Sequence, residues 1–259
     1  MIGARQRALA TILHDASHLC LAKNRKLNYI LGTYFSGYLI GQEFNIYKES
    51  HVEKDPDYQY HIDVGLYQLK NNHQFLFKYV LKPLFLLNIL SYAYYVFKYR
   101  MLQFRKYPKQ YLAMVIYWLL IGTLFYVGVL NYFLLYWLVP YFTSFMVIGW
   151  FIELAEHYPL VLTNKKSIYM TRNRFSHWIE AFFLSIHVEN YHLTHHLQAS
   201  IPYWNIGKAH KIMMVDETYR EWNLQMGGVF FSANSNPPLI QDLLKNHKLP
   251  ILKQKVNNA

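Results

Sequence analysis

Residues 111–154 read YLAMVIYWLLIGTLFYVGVLNYFLLYWLVPYFTSFMVIGWFIEL, a run with one carboxylate, Glu153, and no lysine or arginine. A helix crosses a bilayer with about 20 apolar residues, so this run is long enough for two crossings. It predicts an all-α integral membrane protein built on a transmembrane helical hairpin. Asn131 lies near the middle of the run. The expected spans are about 111–130 and 132–152, with almost no loop between them. The 24 tyrosines and 6 tryptophans agree, because such rings favour the headgroup region.

Working outward, Lys98-Tyr99-Arg100, Arg105-Lys106 and Lys165-Lys166 flank apolar segments. The formal net charge of +11 therefore reads as positive-inside flanking charge rather than as a nucleic-acid footprint. Cys20 is the single cysteine, which excludes an intramolecular disulfide and a cysteine-rich metal site. No apolar signal-peptide core precedes the first charged stretch. The chain reads as one domain over 1–259, without repeats. Residues 1–28 are expected as one helix, 29–44 as a marginal or interfacial segment, and 79–97 as an interfacial or re-entrant one. The polar stretch after about residue 215 is expected to form part of a cytoplasmic, histidine-rich cap.

The chemistry gathers around His192-Leu193-Thr194-His195-His196. Imidazoles at i, i+3 and i+4 share one face of a helix, and neutral imidazole is the commonest metal ligand. His14-Asp15-Ala16-Ser17-His18 offers a second one-sided pair, with Asp15 placed to hydrogen-bond an imidazole and fix its tautomer. Glu153 and His157 stand four apart at the mouth of the second expected span. An ionisable group at the edge of a span is a functional candidate. His51 and His61 are available in between, although either alone reads as a solvated loop histidine. His177, His187 and His210 read as surface or outer partners.

The candidate ligands are thus His14, His18, His51, His157, His192, His195 and His196. Seven imidazoles exceed the needs of one four-coordinate zinc, so two metals are expected, and no HExxH pattern points to a zinc peptidase. If the two outer clusters build one site, the chain between them crosses the membrane an even number of times. The basic stretch 98–109 would put that site on the cytoplasmic side. A haem-carrying electron carrier would instead need histidines deep within the spans, whereas these lie at their ends.

These residues resemble the membrane fatty acid desaturase and hydroxylase family, whose signature is three histidine boxes around a non-haem di-iron centre. His14 to His18 is similar to the first box. His192 to His196, with Leu197 and Ile201-Pro202-Tyr203, is similar to the third, and His157 to the extra ligand after the last span. The likeness runs from about residue 2 to residue 211. It implies two non-haem irons on the seven histidines and dioxygen as co-substrate. It also implies that Glu153 contacts the metals through water, with Asn190 in the same outer role. The implied reaction is desaturation of a fatty acyl lipid chain, with electrons from a donor such as ferredoxin or cytochrome b5. A related hydroxylase or ketolase on an apolar chain would share these features.

Two departures stand out. The family's second box reads HxxHH, often followed by Asp-Pro-Asp. Here His51-Val52-Glu53-Lys54-Asp55-Pro56-Asp57 lacks the histidine pair, as though a short segment were deleted. The family's hairpin before box one is also expected to be absent. The first departure predicts a weakened metal position and makes a catalytically impaired relative the alternative.

Overall fold

Helix α1 (Ile2–Ser17) carries His14 and ends on His18. Leu19 then enters the left-handed region at φ 60. The N–H of Leu19 donates to Ala16 O at 3.0 Å and that of Cys20 to Asp15 O at 3.1 Å, closing the helix end with a Schellman pair of bonds. The single helix expected over 1–28 therefore breaks at this turn. Asn28 bridges the loop that follows, accepting from Ala22 N and donating to Ala22 O. The chain restarts as α2 (Arg25–Gly32), where the Asn24 side chain accepts the Lys26 and Leu27 N–H groups as an N-cap.

The structure, a computed structural model, describes residues 1–49, 51, 72–96, 98, 107–126, 128–158, 160 and 167–246. Among these it is helical, with one isolated antiparallel bridge between Ser176 and Ser232 and no strand. His61, Asp55-Pro56-Asp57 and the basic residues Arg100, Arg105, Lys106, Lys165 and Lys166 lie outside the described residues.

After α2, tighter and wider turns lead to α3 (Phe44–Lys48), started by Glu43, whose carboxylate accepts from Ile46 N at 2.8 Å. Tyr38, Ile40 and Phe44 are buried, so the segment 29–44 packs one side into the core, while Ile30, Tyr34 and Phe35 are exposed. Residues 72–84 form an irregular helix, α4, and Ile89–Val96 form α5. Tyr79 and Val80 are buried, and Trp150 Nε1 donates to Tyr79 O at 2.9 Å. The first part of the segment 79–97 is thus packed inside, while Phe85, Leu87, Leu90 and Tyr94 are exposed.

The long apolar run makes two helices, α6 (Pro108–Tyr126) and α7 (Leu130–His157). The break falls at Gly128, whose φ of 104 suits glycine, and Asn131 lies inside α7. Among the described residues, α7 alone is long and apolar enough to cross a membrane. Pro140 removes one N–H from this helix, and wider turns at Leu134–Leu138 and Tyr141–Phe145 flank it. The two helices touch through Trp118 and Phe133, with ring centroids 5.9 Å apart. One α6 face meets the α2 region, where Tyr38 OH donates to Gln110 O and Tyr117 OH to Tyr34 O.

The remaining helices are α8 (Ser167–Met170), α9 (Trp178–Leu184), α10 (His192–Leu197), α11 (Tyr203–Met213), α12 (Glu217–Asn223) and α13 (Leu239–Asn246). The stretch after 215 is less polar in effect than its composition suggests. Tyr219, Trp222, Val229, Leu239 and Leu243 are buried together with Phe151, Ile152 and Leu154 at the end of α7. Each such side chain contributes about 1.5–3 kcal/mol when fully buried, so this cluster fixes the α7 terminus. Glu180 of α9 ties the intervening loop down by accepting the N–H groups of Val229, Phe230 and Phe231 at 2.7–2.8 Å.

Helix α1 lies against α7. Leu13 and Ala16 pack with Tyr141, Phe145 and Met146, and Gln6 Nε2 donates to Trp137 O at 2.9 Å. The approach is closest at Gly3, where an added Cβ would stand 2.3 Å from Phe145 N. Replacing Gly3 by leucine should push the helices apart and cost about 1–3 kcal/mol. Thermal unfolding in detergent checks this, and an unchanged midpoint would mean that α1 seats itself elsewhere.

Candidate metal centre

Helix α10 is short, and a buried polar network holds it in place. Leu193 and Thr194 are fully buried on its inner side. Thr194 N donates to Asn173 Oδ1 at 3.2 Å, and Asn173 Nδ2 donates to Tyr219 OH at 2.9 Å and Asn223 Oδ1 at 2.7 Å. The Tyr219 hydroxyl also meets Thr194 Oγ1 at 2.7 Å and His210 Nδ1 at 2.8 Å. A network satisfied in this way rigidifies its elements. It leaves His192, His195 and His196 for the other side.

All seven candidate ligands gather in two groups, His14, His18, His51 and His195 in one and His157, His192 and His196 in the other. Within each group, one ring nitrogen per residue lies within 4.8 Å of the others. His195 sits 4.2 Å from His14 and 4.8 Å from His18 between ring centroids. His51 approaches the same pair at 4.6 and 5.3 Å. In the second group His192 Nε2 stands 2.9 Å from both His157 Nε2 and His196 Nε2. Metal–nitrogen bonds of about 2.0–2.1 Å in a tetrahedral site set neighbouring nitrogens roughly 3.3 Å apart, so the donor sets fit metal ions.

Two carboxylates orient the rings from behind. Asp15 Oδ1 lies 3.3 Å from His14 Nδ1, and its Oδ2 accepts Tyr203 N–H at 2.8 Å. Glu156 Oε2 lies 3.2 Å from His192 Nδ1, and its Oε1 accepts from Arg174 Nη2 at 2.8 Å. An Nδ1–H given to a carboxylate leaves Nε2 unprotonated, and in His192 that atom faces His157 and His196. Burial, and then the field of neighbouring imidazoles, push His14 and His192 well below the usual histidine range. Both are therefore neutral at pH 7, the ligand-competent form.

The outer residues divide. Asp15 stands where the tautomer argument places it. Glu153 is 3.6 Å from Arg7 Nη2, in an ion pair. Asn190 braces a loop instead, donating to Arg174 O at 3.2 Å and accepting Arg174 N–H on its own carbonyl at 2.8 Å. His177 Nδ1 accepts from Ile179 N at the start of α9, His187 stacks on Tyr203, and His210 belongs to the buried network. Sequence reasoning passed over Glu156, Arg174, Arg7 and Glu189. Glu156 is next to His157, Glu189 stands three residues before His192 and Arg7 seven before His14, which was the available signal, whereas nothing in the local sequence marks Arg174.

Helical segments that present two groups of converging histidines, one beside the end of a long apolar helix, define a candidate metal centre. The comparisons with known proteins make this specific. The fatty acid desaturase family model matches residues 1–226. A dihydrorhizobitoxine desaturase of Bradyrhizobium elkanii is 35% identical over 277 aligned residues, covering all of this chain and 79% of the relative. No solved structure matches. The chain belongs to the fatty acid desaturase family, a family of oxidoreductases.

Burial raises the pKa of Asp15 to about 6, against the lowering effect of the Tyr203 N–H. The folded value lies above the unfolded one of about 3.9, so ionised Asp15 opposes folding. The penalty is absent below about pH 4 and complete above about pH 6, where it reaches about 3 kcal/mol. Asp15→Asn should therefore raise the melting temperature of the metal-free protein at neutral pH but not near pH 4. It should also weaken metal binding about ten- to a hundredfold. Melting curves at the two pH values and a metal titration check both effects, and a pH-independent gain would remove the charge argument.

Proposed function

We propose that this chain is a membrane-bound, dioxygen-dependent desaturase with two non-haem irons. The observation that carries the reading is the convergence of seven histidines in two groups with carboxylates behind them. His14, His18, His51 and His195 would hold one iron, and His157, His192 and His196 the other. Ferrous iron bound there would supply the activation of dioxygen that lets hydrogen leave an unactivated carbon.

The chain's own residues orient and shield that centre. Asp15 and Glu156 hold the Nδ1 protons of His14 and His192, and Arg174 neutralises Glu156 inside the protein. The Asn173–Thr194–Tyr219 network fixes the third histidine box. Taking two hydrogens from adjacent carbons supplies two of the four electrons that reduce dioxygen to water. A one-electron carrier such as ferredoxin or cytochrome b5 would deliver the other two.

In this reading α6 and α7 form a hairpin in the bilayer and the histidines lie on its cytoplasmic side. Leu112, Leu119, Leu120, Leu130, Tyr132, Leu135 and Tyr136 are exposed on these helices, an outward apolar surface that lipid would cover. Family membership favours a fatty acyl chain as substrate. The relative's name favours a second substrate reading, dihydrorhizobitoxine or a compound like it. Membranes containing the protein, given a reduced donor and dioxygen, should convert one of the two to a product lacking two hydrogens. Mass spectrometry decides between them, and an added oxygen would point to a hydroxylase.

Among the described residues the two groups are unequal, four histidines and three, which favours a second reading, a catalytically impaired relative. The match to the relative runs over 277 positions against 259 residues here, which is compatible with residues of the relative lacking a counterpart in this chain. Iron per chain in purified protein separates the two. The working enzyme should carry close to two irons, and His195→Ala with His196→Ala, one from each group, should lose both. One iron or none, without product, would establish the impaired relative.

A further inference from the structure

Four segments supply the histidines, and three of them meet at one guanidinium. Arg7 precedes His14 by seven residues and so lies on nearly the same face of α1. Its Nη2 donates to Glu189 Oε1 at 2.7 Å and stands 3.6 Å from Glu153 Oε1. Glu189 comes three residues before His192, and Glu153 one helical turn before His157. The Arg7 and Glu189 side chains are only 17% and 11% exposed. Arg7 Nε and Glu189 Oε2 are buried and make no hydrogen bond, so the Nη2–Oε1 contact is what compensates the two charges most closely.

The two histidine groups do not depend equally on this contact. The three-histidine group joins α7 to α10, and the Glu156 contacts to His192 and Arg174 already brace that junction. The four-histidine group takes His14 from α1, His18 from its cap, His51 from beyond α3 and His195 from α10. Besides Arg7 with Glu189, the bond from Tyr203 N to Asp15 braces that side. A buried pair broken on one side leaves an uncompensated charge and shifts its surroundings.

We infer that Arg7 is a positioning residue: through Glu189 it holds α1 in register with α10 and thereby sets the metal affinity of the four-histidine group. This rests on the two-metal reading above. It concerns metal uptake, not contact with a substrate.

The test is a Co²⁺ titration of the full-length, metal-free protein in detergent, followed by cobalt absorption. His157→Ala identifies which binding step belongs to the three-histidine group. Arg7→Met should weaken the other step about ten- to a hundredfold and leave the three-histidine step unchanged. Glu189→Gln should act in the same direction. Arg7→Lys should fall between, because an ammonium keeps the charge but not the forked geometry. These two variants keep the test open should Arg7→Met fail to fold.

Equal weakening of both steps, or of neither, would overturn the inference. Wild-type protein that takes up no cobalt would overturn both this inference and the two-metal reading. If only one step is seen and it vanishes in His157→Ala, the four-histidine group holds no metal and the inference falls. If that single step survives His157→Ala, Arg7→Met must still weaken it.

Discussion

Two groups of imidazoles converge within a small volume, and the rest of the structure serves to hold and orient them there. Charged rings would repel one another there, since in the three-histidine group His192 Nε2 stands 2.9 Å from two neighbouring ring nitrogens. Burial answers this by disfavouring the charged form, as the lowered pKa values of His14 and His192 show. Burial alone would leave the ring protons undirected. Asp15 and Glu156 direct them, each lying against an Nδ1 and each held from its other side, by the Tyr203 N–H and the Arg174 guanidinium.

Those carboxylates carry their own cost, which explains the polar scaffolding around them. Glu156 and Arg174 are both about 1% exposed, and such a pair is tolerated only with good geometry and further hydrogen bonds. Arg174 has one in Leu184 O at 2.8 Å, which connects the pair to α9. Glu180 then fastens α9 to the 229–231 loop, and that loop joins the apolar cluster around the end of α7. A chain of supports therefore runs from the metal-facing nitrogens to the hydrophobic core. A helix as short as α10 could not stand alone, since most helical stability in proteins comes from packing.

The parts legible in the sequence were those that repeat at a helical period or persist as a long apolar run. His192, His195 and His196 stand out by spacing, and α6 and α7 by the absence of charge. The end of α1 was not legible, because a leucine at φ 60 stands where glycine usually signals such a turn. The break between α6 and α7 was placed at the polar Asn131, but Gly128 governs it through backbone freedom. Arg7 and Glu189 are 182 residues apart, and Glu156 and Arg174 eighteen. Such pairings are properties of the fold, and no local pattern announces them. The stretch after 215 looked polar because its buried residues are scattered at irregular intervals among exposed ones.

The inequality of the two groups bears directly on what the proposed centre can do. Among the described residues one group offers four imidazoles and the other three, so the second would leave more positions open on a bound metal. Non-haem iron oxygenases commonly work with three protein ligands and open positions for small molecules. A shortened second box would thus take affinity from the proposed centre without removing the open position that dioxygen chemistry requires. It also transfers weight onto the surroundings, since with fewer ligands the position of each depends more on what holds it. The buried ion pairs beside His192 and beside Arg7 lie on the two sides where that support is needed.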